Sequence, residues 1–106
     1  MKKHVTKIFK IGEIFPAETC IGGKASGKFF YNEVEIALSN GPVLVDFDGV
    51  QLITQSFSDE FLGPLVSNAG KEVFQKLTFK NCSDDIQTIL ISTARRFLVD
   101  RPAVSF

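Results

Sequence analysis

The chain contains one histidine, His4, and two cysteines, Cys20 and Cys82, which lie 62 residues apart. This inventory lacks the four nitrogen and sulfur ligands of an ordinary zinc site, so we expect no metal. A histidine-dependent catalytic triad would have to use His4, close to a terminus that is expected to fray. We expect two reduced, buried cysteines rather than a disulfide.

Long apolar runs and an excess of basic residues are also lacking. No run approaches the length of a membrane span, and the residues after Met1 are charged and polar, so we expect no signal peptide. The twelve basic and twelve acidic residues give a net charge of zero, without the basic excess that nucleic-acid binding needs. These absences favour a cytoplasmic protein that binds neither membrane nor nucleic acid.

The charges that are present are unevenly distributed. Residues 29–70 contain six acidic residues and no Lys or Arg, whereas residues 1–28 carry six Lys and two Glu. A partner that docks on the central segment would therefore benefit from being basic.

The length and the apolar content predict one small globular domain. The chain has 106 residues, of which 44% are apolar. This is enough for one core and leaves no room for a second domain. We therefore expect a single domain over residues 1–106, with a core over about residues 4–99.

Strands and helices are predicted to alternate. Strands are expected at residues 5–11, 43–47 and 77–79, with a short extended piece around 19–21. The continuous apolar run at 43–47 is typical of a central strand that is covered on both faces, or nearly so.

Three helices are predicted to begin at serine caps. Ser26 with Gly27 begins the first, Ser56 the second and Ser83 the third, and they end near residues 38, 68 and 99. Pro64 is expected to kink the second helix. The order βαβαβα predicts an α/β domain, with a small mixed or mostly parallel sheet packed with about three helices.

A glycine-rich stretch precedes the first predicted helix. Residues 22–28 fit the first seven positions of a P-loop, but Phe29 stands where a hydroxyl should bind magnesium. A ligand loop formed by Gly23, Ser26 and Gly27 could still hold a phosphate through backbone amides. A small-ligand or nucleotide-binding domain therefore remains an alternative, although a plain cap and turn explains the stretch and we expect no cofactor.

Two carboxylates follow the central strand. Asp46 and Asp48 stand at its carboxyl end, where open α/β sheets place ligands, so a carboxylate-dependent hydrolase is a further alternative. Asp48 with Gly49 is also an ordinary turn signal, in which glycine supplies a positive φ. The turn is the simpler interpretation.

Ser56 has a structural and a regulatory interpretation. With Asp59 it forms S-x-x-D, a variant of the capping box, and this role is sufficient to explain both residues. A kinase could also reach a hydroxyl at a helix start, where the helix dipole favours a phosphate. Asp59 and Glu60 would oppose that phosphate and could displace the helix.

Two motifs resemble the STAS-like family, the relatives of the STAS domains of anti-sigma-factor antagonists. The first is the run from Gly23 to Gly27 followed by Phe30. The second is the apolar strand with Asp46-x-Asp48-Gly49 and then Ser56-Phe57-x-Asp59-Glu60-x-x-Gly63-x-Leu65-Val66. The resemblance extends over about residues 12–98.

The resemblance implies a non-enzymatic regulatory domain that binds a protein. In STAS antagonists a serine in the corresponding loop is phosphorylated by a serine kinase of the histidine-kinase-like ATPase type, and that serine falls on Ser56. STAS-like members are often encoded with, or fused to, such ATPases. The implied partner-binding residues are Asp48, Gly49, Thr54, Gln55, Ser56, Asp59 and Glu60.

Aromatic residues are biased toward phenylalanine, with eleven Phe, one Tyr and no Trp. Most are expected to fill the core. Phe29, Phe30 and Tyr31 cannot all face one core from one helix, so we expect at least one exposed ring that would suit a partner surface.

Overall fold

The computed structural model describes residues 5–16 and 20–99. Along the chain these residues form β1 (Lys7–Lys10), α1 (Ile11–Ile14), β2 (Cys20–Ile21), α2 (Lys24–Leu38), β3 (Val43–Asp46), β4 (Leu52–Ile53), α3 (Gln55–Ala69), a 3₁₀ helix (Gly70–Gln75), β5 (Leu77–Lys80) and α4 (Asp84–Val99). The predicted α/β class and the three long helices are confirmed. His4, and Thr19 of the predicted extended piece, lie outside the described residues.

All paired strands run parallel. One sheet has the order β1-β3-β5, and a second, smaller sheet pairs β2 with β4. The predicted parallel character is confirmed, but the sequence did not indicate β4. A strand of two residues, of which Leu52 is exposed and Ile53 buried, is too short for alternation to identify it.

The described residues cover one face of the three-stranded sheet. Val43 and Val45 are fully buried in β3. Leu44 between them is only partly buried, and its register neighbours Ile8 and Thr78 are exposed. Because successive side chains of a strand point to opposite faces, the second face of β3 is only partly covered by the described residues.

Phenylalanine rings form the centre of the core. Phe30 of α2 lies 4.8 Å from Phe61 and 6.2 Å from Phe57, both in α3, between ring centroids. Phe9 of β1 meets Phe30 edge-on at 5.4 Å. The expected core role of these rings is confirmed, and Phe29, 49% exposed, supplies the expected exposed ring.

Several element boundaries differ from the predicted ones. The strand predicted at 5–11 spans only Lys7–Lys10, because Ile11 begins a short helix. Helix α2 begins at Lys24, after Gly23 with φ of 97°, so Ser26 lies within its first turn and is not its cap. Pro64 lies inside α3, which continues to Ala69.

The cysteines are less buried than expected. Both are free thiols, but Cys20 is exposed and Cys82 is partly buried. Their expected burial is therefore wrong.

Within residues 5–16 and 20–99, no helix combines the length and the apolarity that crossing a membrane would require.

Helices α2 and α3 approach each other closely at Gly27. A Cβ atom at this position would lie 2.6 Å from the carbonyl oxygen of Phe57 and 2.8 Å from the Cβ of Glu60. Because one of these atoms belongs to the backbone of α3, a side chain at this position would fit only if the two helices moved apart. Gly27 is therefore required by helix packing.

We predict that Gly27→Ala destabilises the domain. The added methyl forces the helices apart, and after the gain in helix propensity the net loss is about 1–2 kcal/mol in the free energy of unfolding. Urea denaturation measures it. Lys28→Ala, the exposed neighbour on α2, is the control and should change stability by less than about 0.5 kcal/mol. Equal stability of the two variants would contradict the close packing.

Candidate functional site

The N-terminal end of α3 is organised by the hydroxyl of Thr54. Thr54 follows β4 in an extended conformation, and its Oγ1 accepts the backbone N–H of Phe57 at 3.2 Å. Its carbonyl oxygen accepts the N–H of Ser58 at 3.1 Å. Thr54 is therefore the cap, and the predicted cap at Ser56 is wrong. The extended backbone that a cap requires ends at Thr54, and Ser56 already lies in the first helical turn.

The same threonine fixes the start of α2. The N–H of Gly23 donates to Thr54 Oγ1 at 3.3 Å, and the N–H of Thr54 donates to the carbonyl of Ile21 at 2.9 Å. A Cβ atom on Gly22 would lie 2.7 Å from the Thr54 methyl. The cap of α3, the β2–β4 strand pair and the glycines before α2 are therefore all held together by contacts with Thr54.

The predicted ligand loop is part of this packing. Gly23 precedes α2, whereas Ser26, partly buried, and Gly27, buried, lie within the helix. The helix therefore begins earlier than predicted, and two of the three residues lie in its first turn.

The hydroxyl of Ser56 contacts the cap residue Thr54 but takes no part in capping the helix. Its Oγ lies 3.1 Å from Thr54 Oγ1. Thr54 Oγ1 already accepts two N–H groups, from Gly23 and Phe57, so its own proton is directed at Ser56. Ser56 accepts this hydrogen bond, is partly buried, and retains its own O–H for a donor role.

Asp59 is engaged with α4. Its Oδ1 accepts from Gln55 Nε2 at 2.9 Å and from Thr93 Oγ1 at 3.1 Å, and it forms an ion pair with the guanidinium of Arg96. The Asp59 side chain is 28% exposed. This carboxylate, predicted to bind a partner, therefore connects the start of α3 to α4.

A buried hydroxyl pair completes this connection. Ser58 and Thr93 are fully buried, with their hydroxyl oxygens 2.6 Å apart. The hydroxyl of Thr93 donates its proton to Asp59, so in the pair with Ser58 it is Ser58 that donates and Thr93 that accepts. Thr93 Oγ1 also accepts a hydrogen bond from Gln55 Nε2 at 2.9 Å. These bonds were not predicted from the sequence. The available signal was a threonine in an otherwise apolar stripe.

The turn after β3 forms a second polar group. Asp46 Oδ1 accepts from the side-chain amide of Asn81 at 2.8 Å and from the N–H of Asp48 at 2.9 Å. Gly49 has φ of 83°, so the predicted turn is confirmed. The bond from Asn81, the bond from the Asp48 N–H and the nearby Lys80 lower the pKa of Asp46 below its usual range.

The predicted partner-binding residues thus lie in two places. Thr54, Gln55, Ser56, Asp59 and Glu60 stand at the start of α3. Asp48 and Gly49 are exposed in the turn between β3 and β4. No hydrogen bond found among the described residues joins the two groups.

The chemistry available at α3 is a hydroxyl with a free proton near the positive end of a helix dipole. Glu60, partly buried, packs beside Gly27 and leaves one acidic group near that hydroxyl. In the described part of the chain, no three His, Cys, Asp or Glu side chains cluster as metal ligands.

We predict that Asn81→Ala raises the pKa of Asp46. The carboxylate form loses its strongest hydrogen bond, so the NMR titration midpoint of the Asp46 carboxyl should move up toward about 3.9, the usual aspartate value. Because the folded-state pKa is lowered, the stabilisation is present above about pH 4 and is lost as the pH falls through the folded-state pKa. Asn32→Ala, an exposed asparagine on α2, is the control. Equal midpoints in the two variants would exclude this role of Asn81.

A family model described as a STAS-like domain of unknown function matches residues 26–87. The match runs from the first turn of α2 to the first turn of α4 and includes the whole of α3. No curated protein and no solved structure matches the chain. Because the match covers more than half of the 106 residues, the chain belongs to the family of STAS-like domains.

Proposed function

We propose that this domain is a non-enzymatic regulatory module of the cytoplasm that binds a protein partner through the N-terminal end of α3. Phosphorylation of Ser56 regulates the binding, and the partner is a histidine-kinase-like ATPase that acts as the serine kinase. Membership of the STAS-like family agrees with a regulatory or protein-interaction role.

One observation carries the proposal: Thr54 caps α3, and Ser56 does not. A hydroxyl that held the cap could not be modified without loosening the helix. With the cap assigned to Thr54, Ser56 can accept a phosphate while Phe57 and Ser58 keep their bonds to Thr54. The modification therefore changes the charge of the surface and preserves the helix.

The surrounding charges favour this role. A phosphoserine carries about −1.5 to −2 charges at pH 7, and the first turn of a helix stabilises negative charge. Asp59, expected from the sequence to repel the phosphate, is neutralised by Arg96. Glu60 remains as the adjacent acidic residue, so repulsion is weaker than expected.

An exposed aromatic ring is connected to this end of α3 through one other ring. Phe29 contacts Phe15 edge-on at 6.4 Å, and Phe15 contacts Phe57 at 6.1 Å. Phe57 belongs to the first turn of α3. An exposed aromatic connected through Phe15 to the start of α3 provides an apolar anchor of the kind that protein interfaces commonly use.

We predict that incubation with a histidine-kinase-like ATPase from the same host and ATP places phosphate on Ser56, as mapped by mass spectrometry. Ser56→Ala should abolish this phosphate, and Ser67→Ala should not, because Ser67 is exposed near the far end of the same helix.

The consequence for binding is tested with the same ATPase by calorimetry. Ser56→Asp should change its affinity at least tenfold, or about 1.4 kcal/mol, whereas Ser67→Asp should leave the affinity unchanged. The proposal fails if wild-type protein takes up no phosphate at Ser56 and Ser56→Asp binds like wild type.

A further inference from the structure

Ser56 and Asp59 are neighbours on the surface of α3. Ser56 is the second residue of the helix and Asp59 follows three residues later, and both are partly buried. Side chains at this spacing in a helix have their Cβ atoms about 5–6 Å apart. A group attached to the Ser56 hydroxyl is therefore placed beside the Asp59 carboxylate.

Arg96 of α4 brings a cation to the same place. Its Nη2 donates to Asp59 Oδ1, and the side chain is exposed. A guanidinium has five N–H donors in a planar fork. Among the described residues, Asp59 is the one hydrogen-bond acceptor found for this fork. Donors therefore remain for a second anion beside Asp59.

Contacts on both sides of Arg96 fix its position over α3. Thr93, one turn earlier in α4, is buried and donates to Asp59 at 3.1 Å. Phe97, the next residue, lies so close to α3 that a Cβ atom on Gly63 would be 2.7 Å from its ring. The guanidinium carbon of Arg96 lies 5.3 Å from the centre of this ring. Because Arg96 is already held near the start of α3, little further ordering is needed for it to bind a phosphate there.

The other cations near this end of α3 are less well placed. Arg95 lines the groove between β5 and α4, and one residue along a helix turns the side chain by about 100° from that of Arg96. Lys24 and Lys28 are exposed on α2, and neither forms an ion pair with a described residue. A lysine ammonium is a point charge, whereas a guanidinium fork can bridge two anions.

We propose that Arg96 binds the phosphate of phosphorylated Ser56 while it keeps its bond to Asp59. This inference rests on the proposed phosphorylation of Ser56. A phosphoserine has three strong acceptor oxygens, and arginine binds phosphate through parallel N–H bonds. Arg96 is thus a positioning residue for the modified serine. Its bridge offsets part of the added charge and ties α3 more firmly to α4 in the phosphorylated state.

The test places phosphoserine at position 56 during translation with an expanded genetic code, so it needs neither a kinase nor a partner. Alkaline phosphatase then removes the phosphate, and mass spectrometry follows the rate. Arg96→Gln should be dephosphorylated at least tenfold faster than wild type, because the phosphate loses its charged donors. Arg95→Gln, the adjacent arginine, is the matched control and should stay within about twofold of wild type.

A second variant separates this contact from a loosened pair of helices. Asp59→Asn weakens the same connection between α3 and α4 but leaves Arg96 for the phosphate, so the phosphate should stay at least as protected as in wild type. The proposal is overturned if Asp59→Asn speeds the reaction as much as Arg96→Gln. It is also overturned if Arg96→Gln reacts like wild type, or if Lys24→Gln or Lys28→Gln exposes the phosphate instead.

Urea denaturation gives an independent measure of the bridge. Phosphorylation should favour folding at least tenfold more in wild type than in Arg96→Gln, as a ratio of the changes in the unfolding equilibrium constant. Arg96→Lys should recover part of this coupling, because it keeps the charge and loses the fork. A ratio near one would contradict the bridge. Because the phosphate is installed without a kinase, such a failure would leave the labelling and binding experiments on Ser56 to be judged by themselves.

Discussion

The hydroxyl of Thr54 holds the candidate site together. It accepts N–H groups from Gly23 and Phe57 and so fixes the starts of α2 and α3 against each other. Its backbone N–H extends the β2–β4 pairing to Ile21. Because the cap is complete without Ser56, the serine is the group at this end of the helix that can change chemically while the fold stays intact. The proposed regulation depends on this division between a structural and a regulatory hydroxyl.

Much of the fold could be predicted from local patterns. Phe57, Phe61, Leu62 and Leu65 recur at helical spacing in the sequence and are buried along α3. Ser83 does cap α4, because its Oγ accepts the N–H of Ile86. The predictions failed where tertiary contacts override local preference. Strand β4 is too short to show alternation, and α2 begins at Lys24 because the preceding glycines pack on Thr54.

The candidate site was predicted from the sequence, but the contacts that each of its residues makes were not. The capping box at Ser56 was a reasonable interpretation, yet a threonine two residues earlier has the extended backbone that a cap needs. Asp59 looked like a free acidic group because its partners, Thr93 and Arg96, are 34 and 37 residues away in the chain. No local pattern reveals such pairs. They turn part of the acidic central segment into a connection between helices and leave a smaller surface for a partner.

The most direct test compares the stabilities of Thr54→Val and Ser56→Ala by urea denaturation. Thr54→Val keeps the shape of the side chain and removes its hydroxyl, so two N–H groups lose their acceptor. We expect a loss of about 1–2 kcal/mol, as for other caps. Ser56→Ala should change stability by less than about 0.5 kcal/mol. The reverse order would contradict the account, because it would make Ser56 the cap and remove the freedom that the proposed regulation requires.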